Sequence, residues 1–449
     1  MLEAMTNQSH DAAAGNSPLP RNATGRAAGW SRRRRLRACP DCDLVVALPP
    51  LRPHERADCP RCGHVLVRRH RLPVQRGLAY AVTALIFLAM AVLFPFIGFD
   101  VRGIGNTITL TETGSALARY GEPLVAAAVL LGIVILPLAW IAGFIILHTR
   151  ILRAAVGPPD EFLARALSHI GPWIMADVFL VALLVSLTKI SGMATLDIGP
   201  AFWAYCAFVL VMVKAQLALD TDWLWFRLAG EPPAPPGIRP GTNAREQDMT
   251  GCHVCGLINP VDASGRGHCA RCGDRVHTRA PRSLQNTLAL LLLAILLYIP
   301  ANTLPITHTT RFGGEQGSTI IGGVVGFVQA GDIPIAIVIF AASVLVPIGK
   351  MLALAWLCLW ARRPDLRDPL AGARMYRLVD FIGRWSMVDV FVVAILVALV
   401  RAESLMSIVP GPAALAFAAM VITSMIAAMR FDPRLLWETP SPAQRSGHD

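Results

Sequence analysis

Charge-free apolar runs punctuate the chain. Gly77 to Phe99, Pro123 to Leu147 and Leu284 to Leu304 contain no Asp, Glu, Lys or Arg. At about 1.5 Å of rise per residue, each can cross the roughly 30 Å hydrocarbon core of a bilayer as a helix. The pattern predicts helices near 77–99, 123–147, 172–190 and 201–219, then near 284–304, 333–360, 380–400 and 412–429. The expected fold class is an all-α polytopic membrane protein with eight transmembrane helices.

The two sets of four are copies. Cys62 to Pro95 and Cys272 to Pro305 both span 33 residues, and Leu136-Pro137 matches Val346-Pro347. From Gly171 the halves align at a constant offset of 212, pairing Trp173 with Trp385, Asp177 with Asp389, Lys189 with Arg401, Gly199-Pro200 with Gly411-Pro412 and Trp225 with Trp437. Each unit is a cysteine cluster followed by four spans. An even number of crossings returns each unit to its starting side, so the units should be parallel repeats about a pseudo-twofold axis along the membrane normal.

Composition agrees: of 449 residues 54% are hydrophobic and 16% charged, against about 25% charged in soluble domains. The net charge of +11 draws on the block Arg32, Arg33, Arg34, Arg35 and Arg37. In a soluble protein such a block would point to nucleic acid; beside a membrane helix it marks the cytoplasmic side, and no nucleic acid is expected. Arg150, Arg153 and Arg165 after the second span, and Arg362, Arg363, Arg367, Arg374 and Arg377 after the sixth, contrast with Ile306 to Asp332, where Arg311 is alone. The clusters and both termini are therefore expected in the cytoplasm. No apolar core of a cleavable signal lies in residues 1–30. The organisation expected is a disordered basic N-terminus (1–30), a first zinc ribbon (31–76), a first transmembrane domain (77–229), a Pro/Gly-rich linker (230–248), a second ribbon (249–282), a second transmembrane domain (283–430) and a cytoplasmic tail (431–449).

Eight of ten cysteines form C-x-x-C pairs: Cys39/Cys42 with Cys59/Cys62, and Cys252/Cys255 with Cys269/Cys272. Four thiolates per cluster suit tetrahedral metal, and cytosolic placement argues against disulfides. Two Zn²⁺ ions are expected, with iron as the alternative that the same ligands allow. His64, His253 and His268 are surplus to a four-thiolate set, and Cys206 and Cys358 read as packing residues.

Ionisable and amide groups inside spans are costly and mark candidate functional positions. These are Asp177, Lys214, Asn302, Lys350, Asp389 and Arg401. Depth along the helices predicts buried pairs Asp177/Lys214 and Asp389/Lys350, acting either as static register pins or as a proton- or lipid-linked switch. Lys189 and Arg401 should snorkel at the outer surface. Asn302, between Pro300 and Pro305, is expected at a break facing a cavity, and Pro137 and Pro347 should kink their helices.

No nucleotide-binding loop and no nucleophile elbow is present, so no enzyme is expected. A rubredoxin-like redox protein is the alternative; a transmembrane electron path would need histidine pairs within helices, whereas His148, His169 and His308 fall at or beyond helix ends.

The two C-x-x-C…C-x-x-C-G clusters, each before four spans, with P-A-N-x-L-P after the second and W-x-M-x-D-V-F on the third span of both units, resemble the paraquat-inducible protein A family. The first unit departs from the pattern, with Ala91-Val92-Leu93-Phe94-Pro95 where the second has Ala301-Asn302-Thr303-Leu304-Pro305. The resemblance implies a component of the bacterial inner membrane in an intermembrane phospholipid transport system. It also implies a periplasmic mammalian-cell-entry (MCE) domain tunnel protein as partner, and a role in outer-membrane integrity.

Overall fold

The computed structural model describes residues 35–101, 104–112, 118, 123–191, 195–311, 314–329, 331–363, 368–399, 401–402 and 406–438. Four short strands build the first ribbon: β1 (Arg35–Ala38) pairs with β2 (Val45–Leu48), and β3 (Arg56–Asp58) with β4 (Val65–Arg68). Helix α1 (Pro73–Leu93) is the first span and ends before Pro95, so the apolar residues from Phe94 to Phe99, expected as helix, become a turn and strand β5 (Ile97–Val101). This strand pairs with β6 (Ile104–Ile108) on one side and β7 (Thr195–Ile198) on the other, in antiparallel register Ile97↔Ile108 and Ile97↔Ile198.

The second span runs from α2 (Pro123–Leu130) through a π-helical turn at Leu131–Ile135 into α3 (Leu136–Leu152). The turn stands where Pro137 predicted a kink. Pro137 offers no N–H and its ring crowds the carbonyl four residues back. Widening the turn shifts the ladder to i→i+5, with Leu136 N–H donating to Leu131 O, and leaves the Gly132 carbonyl to accept from Met175 N–H at 3.4 Å. The second unit repeats the device, with a π turn at Ala341–Leu345 ahead of Pro347.

Helix α4 (Pro158–Ile170) returns along α3 and continues, after a short 3₁₀ turn, into α5 (Ala176–Ser191) as one 30-residue apolar span from Pro158 to Leu187. The third span is thus longer than the 172–190 expected. Helix α6 (Pro200–Leu217) is the fourth span, and α7 (Thr221–Ala229) lies beyond it. The strand connections make the first and fourth spans neighbours. Both helices bury small residues, Ala81, Ala84 and Ala91 on α1 and Ala201, Ala204 and Ala215 on α6, while Gly77 of α1 faces Phe144 of α3. In lipid no hydrophobic drive pulls helices together, so close backbone approach of this kind carries association.

The second unit follows the same plan. Its ribbon comprises β8 (Met249–Gly251), β9 (Ile258–Pro260), β10 (Arg266–His268) and β11 (Arg275–His277). Then come α8 (Ser283–Thr303), β12 (Thr307–Arg311), β13 (Gly314–Ser318), α9 (Ile320–Gln329), α10 (Ile333–Phe340), the π turn and α11 (Val346–Arg362). The remainder is α12 (Pro369–Trp385), α13 (Val388–Leu399), β14 (Arg401–Ala402), β15 (Met406–Pro410) and α14 (Pro412–Arg430). Strands order β13-β12-β15-β14. Among the described residues seven helices are long and apolar enough to cross a membrane. The eighth position is held by α13, which packs on its repeat counterpart α5.

The halves meet on residues that the duplication relates. Phe179 and Phe391, separated by the repeat offset, stack edge to face with centroids 5.5 Å apart. The pseudo-twofold axis therefore runs between α5 and α13. The β-sheets on the face opposite the ribbons were not expected from an all-helical reading; their strands carry Gly, Thr and polar residues that no hydrophobic period reveals.

One backbone crossing recurs in both units. Gly199 N–H donates to Phe96 O at 3.1 Å and Gly411 N–H to Ile306 O at 2.9 Å. A Cβ on Gly199 or Gly411 would stand 2.9 Å from the carbonyl carbon of Pro95 or Pro305, and closer still to the oxygen. Gly199→Ala and Gly411→Ala should each destabilise the protein by roughly 1–3 kcal/mol through overpacking, read as a lowered thermal midpoint of the purified protein.

Candidate functional site

In each ribbon the two C-x-x-C pairs sit at the tips of two hairpins, and the residue after the second cysteine turns the chain. Gly63, Gly256 and Gly273 adopt φ of +72°, +74° and +72°, and Asp43 holds the fourth such position at +63°. The left-handed turn lets the amide of each of these residues donate to the first cysteine's carbonyl, as in Gly63 N–H to Cys59 O at 2.9 Å. All eight thiols are buried and none is in a disulfide.

Within each cluster the four sulfurs lie within 4.8 Å of one another. Cys39 and Cys62 Sγ are 3.5 Å apart, Cys42 and Cys59 3.5 Å, Cys252 and Cys272 3.5 Å, and Cys255 and Cys269 3.4 Å. A tetrahedron of sulfurs at about 2.3 Å from one ion has edges of about 3.8 Å. The donors thus fit a closed four-coordinate metal site. Hydrogen bonding among the thiols pushes the first-knuckle cysteines up and the second-knuckle cysteines down in both clusters, so that protons are shared among neighbouring sulfurs. The neighbouring histidines are otherwise engaged: His64 Nδ1 is 3.1 Å from Asp41 Oδ2, and His253 Nε2 is 3.4 Å from an Arg434 nitrogen.

Each ribbon is seated on the ends of both units: the first meets Asp222 of its own unit through Arg35 and Arg37, and the second meets Glu438 and Asp432 of its own unit through Arg279 and the Ala280 amide. In the first ribbon Arg61 donates to Cys42 O at 3.3 Å and lies over the Trp437 ring, and Arg377 of α12 donates to Cys62 O at 2.8 Å. In the second, the matching Arg271 donates to Cys255 O at 3.5 Å and to Asp222 O, on α7, at 3.3 Å. The ribbons also touch one another. Ala38, Val45, Ala244 and Ile258 share a small core, and the linker binds the first ribbon through Ala244 N–H to Asp43 O at 2.8 Å and Val45 N–H to Thr242 O at 2.9 Å.

At the junction lies a buried charge cluster that the sequence did not reveal. Asp222 pairs with Arg35 and, at 2.7 Å, with Arg37; Glu231 pairs with Arg37 at 2.8 Å and Arg271 at 3.3 Å. Arg35 and Arg37, expected as part of the topogenic block, are 5% and 3% exposed. Burial would raise the Asp222 carboxyl, but Arg37, Arg35 and Arg271 overcome it and hold the group below its ordinary range. Burial would likewise lower Arg37, and Asp222 and Glu231 reverse that.

The intramembrane candidates separate. Lys350 is 3% exposed and donates to Ser424 Oγ at 3.1 Å. The side chain of its expected partner Asp389 lies outside the described residues, as do those of Lys189 and Arg401; the Arg401 backbone is in β14 rather than in a helix. The Asp177/Lys214 pair does not form among the described residues. Lys214 is exposed, its long stem able to snorkel from the last turn of α6, while Asp177 is half-buried. The repeat counterpart of Lys350 is instead Trp140: Lys350 Nζ would lie 3.3 Å from a Cβ on Gly383, and Trp140 Nε1 4.0 Å from one on Gly171. Asn302 Nδ2 donates to Tyr298 O at 3.0 Å, and α8 continues through Pro300 to Thr303, so the expected break falls after the amide.

Asp222→Ala should leave three buried guanidiniums short of a partner and cost about 3–5 kcal/mol, measured by unfolding of the purified protein. Because its carboxyl is held low, the Asp222 contribution is full above the ordinary carboxylate range and is lost as pH falls through the lowered value. The gap between wild type and Asp222→Ala should accordingly stay constant from pH 8 down to about 5 and close only in stronger acid.

A family model described as paraquat-inducible protein A matches residues 74–229 and 284–440, one match per unit. The chain is 40% identical over 400 residues to the intermembrane transport protein PqiA of Escherichia coli strain K12, covering 89% of this chain and 95% of that one. It is 28% identical to the lipophilic envelope-spanning tunnel protein A of the same organism, covering 89% and 90%. It is also 28% identical to a probable intermembrane transport protein of Haemophilus influenzae, covering 89% and 95%. No solved structure matches. Two matched units, two four-cysteine clusters and near full-length identity of this order show that the chain belongs to the paraquat-inducible protein A family.

Proposed function

We propose that this chain is an inner-membrane component of an intermembrane phospholipid transport system. Its ribbons and termini face the cytoplasm and its β-sheets face the periplasm, where an MCE-domain tunnel protein takes or delivers lipid. The observation that carries this is the 40% identity along 89% of the chain to a protein named for intermembrane transport. The arginine-rich ribbon face and the arginine-poor sheet face support the orientation. The role is transport, not catalysis.

We assign one Zn²⁺ to each cluster, held by Cys39, Cys42, Cys59 and Cys62, and by Cys252, Cys255, Cys269 and Cys272. A closed four-thiolate ion supplies a cross-link in place of a hydrophobic core. Asp177, Lys214, Asn302, Lys350, Asp389 and Arg401 remain the intramembrane positions proposed to couple transport. Lys350 is foremost, since a buried ammonium against Ser424 ties α11 to α14.

Purified protein should carry two zinc ions per chain by elemental analysis, falling to one in Cys269→Ser. A red, reducible iron centre would instead favour electron transfer. Mild extraction should copurify phospholipid and a periplasmic MCE-domain protein, identified by mass spectrometry; recovery of neither would remove the transport assignment.

A further inference from the structure

A cavity of about 500 Å³ opens at the ribbon-side end of the interface between the halves. Its lining is paired by the duplication: Ser168 corresponds to Asp380, Gly171 to Gly383, Pro172 to Arg384 and Gln216 to Ala428, each pair separated by the repeat offset of 212. The cavity therefore straddles the pseudo-twofold axis, in line with the Phe179/Phe391 contact. Its depth follows from the helices around it, since α6 ends at Leu217 and α14 at Arg430. That is the level of the membrane surface on the ribbon side.

Although the position is two-fold, the chemistry is not. The second unit supplies both charges, Asp380 and Arg384, one turn apart on α12, where the first supplies serine and proline. Residues at i and i+4 share a helix face with Cβ atoms about 5–6 Å apart. Among the described residues no salt bridge joins these two side chains, although Asp380 lies in the attractive field of Arg384 and of Lys350. A carboxylate and a guanidinium held side by side but unjoined match a ligand bearing an ammonium and a phosphate two methylenes apart. Leu167, Leu219, Met425 and Met429 give the cavity an apolar side, Ser168, Gln216, Thr221 and His253 add neutral polar groups, and Met429 is 44% exposed. Methionines of this kind adapt to irregular acyl chains.

We propose that this axial cavity is a headgroup site for a zwitterionic aminophospholipid of the ribbon-side leaflet, with Arg384 taking the phosphate and Asp380 the ammonium. The proposal rests on the lipid-transport assignment and deepens it by naming the headgroup and the leaflet.

Native mass spectrometry of the full chain, with phosphatidylethanolamine or phosphatidylglycerol added at equal concentration, tests it. Wild type should carry phosphatidylethanolamine adducts at several-fold higher occupancy. Asp380→Asn should abolish that preference, Arg384→Gln should lower occupancy by both lipids at least five-fold, and Arg384→Lys should restore most of it, which separates loss of the site from loss of the fold. Equal binding of the two lipids by wild type, or adducts that survive both substitutions, would overturn the site and leave the transport assignment standing. A wild-type chain that binds neither lipid would overturn both. Soluble glycerophosphoethanolamine should not displace the lipid, since it cannot use the apolar wall; displacement would reassign the cavity to a free phosphodiester and defeat the proposal.

Discussion

The seating of the two ribbons on the ends of both units is the constraint on which the rest depends. Lipid gives helices no hydrophobic reason to assemble, and the two units meet in the membrane chiefly along α5 and α13. The ribbons close the arrangement from outside it. Arg271 ties the second ribbon to Asp222 and Glu231 at the end of the first unit, while Arg61 and Arg377 tie the first ribbon to the end of the second. The C-terminal segment thus returns to the N-terminal ribbon and the chain forms a ring. Four-strand ribbons of this size cannot bury enough apolar surface to hold themselves together, so the cysteine clusters are what make the clamps rigid.

Duplication provides the frame and divergence provides the chemistry. Backbone devices are kept in both halves: the π turns before Pro137 and Pro347, and the crossings at Gly199 and Gly411. Each solves a problem that any copy of the unit must solve, either a missing proline N–H or a close approach of two chains. Side chains at the axis are not kept. Trp140 stands opposite Lys350, Ser168 opposite Asp380 and Pro172 opposite Arg384. The first half is a scaffold against which the second presents its charges, and an axial site built this way holds a ligand in one orientation only.

That polarity suits the proposed transport of an amphiphile between two faces of different character. The ribbon face is basic and carries the two four-thiol clusters, and the opposite face is made of small antiparallel sheets that join the first, third and fourth spans of each unit. The buried Lys350 ammonium lies in the second half at the depth of Gly383, next to the axis. A lipid headgroup and a buried ammonium at similar depth would feel each other through a medium of low dielectric, where a single charge weighs far more than at the surface.

The duplication, the parallel sense of the units, the membrane class and the two four-thiol clusters were legible in the amino-acid sequence, because each rests on spacing along the chain: offset, run length and C-x-x-C period. Strand β5 was misread as the end of a helix because apolar content alone does not separate a span from a short buried strand. The burial of Arg35 and Arg37 was not legible because their partners are remote in sequence: Asp222 and Glu231 lie 185 and 194 residues from Arg37. Depth arithmetic on single helices placed Lys350 close to the ribbon-side surface, yet it could not tell which way Lys214 points, since a side chain's partner is set by how helices rotate and cross. Only the tertiary structure decided the seating of the ribbons, the axial meeting of Phe179 with Phe391 and the cavity beside Arg384, for all three are contacts between residues that no local period relates.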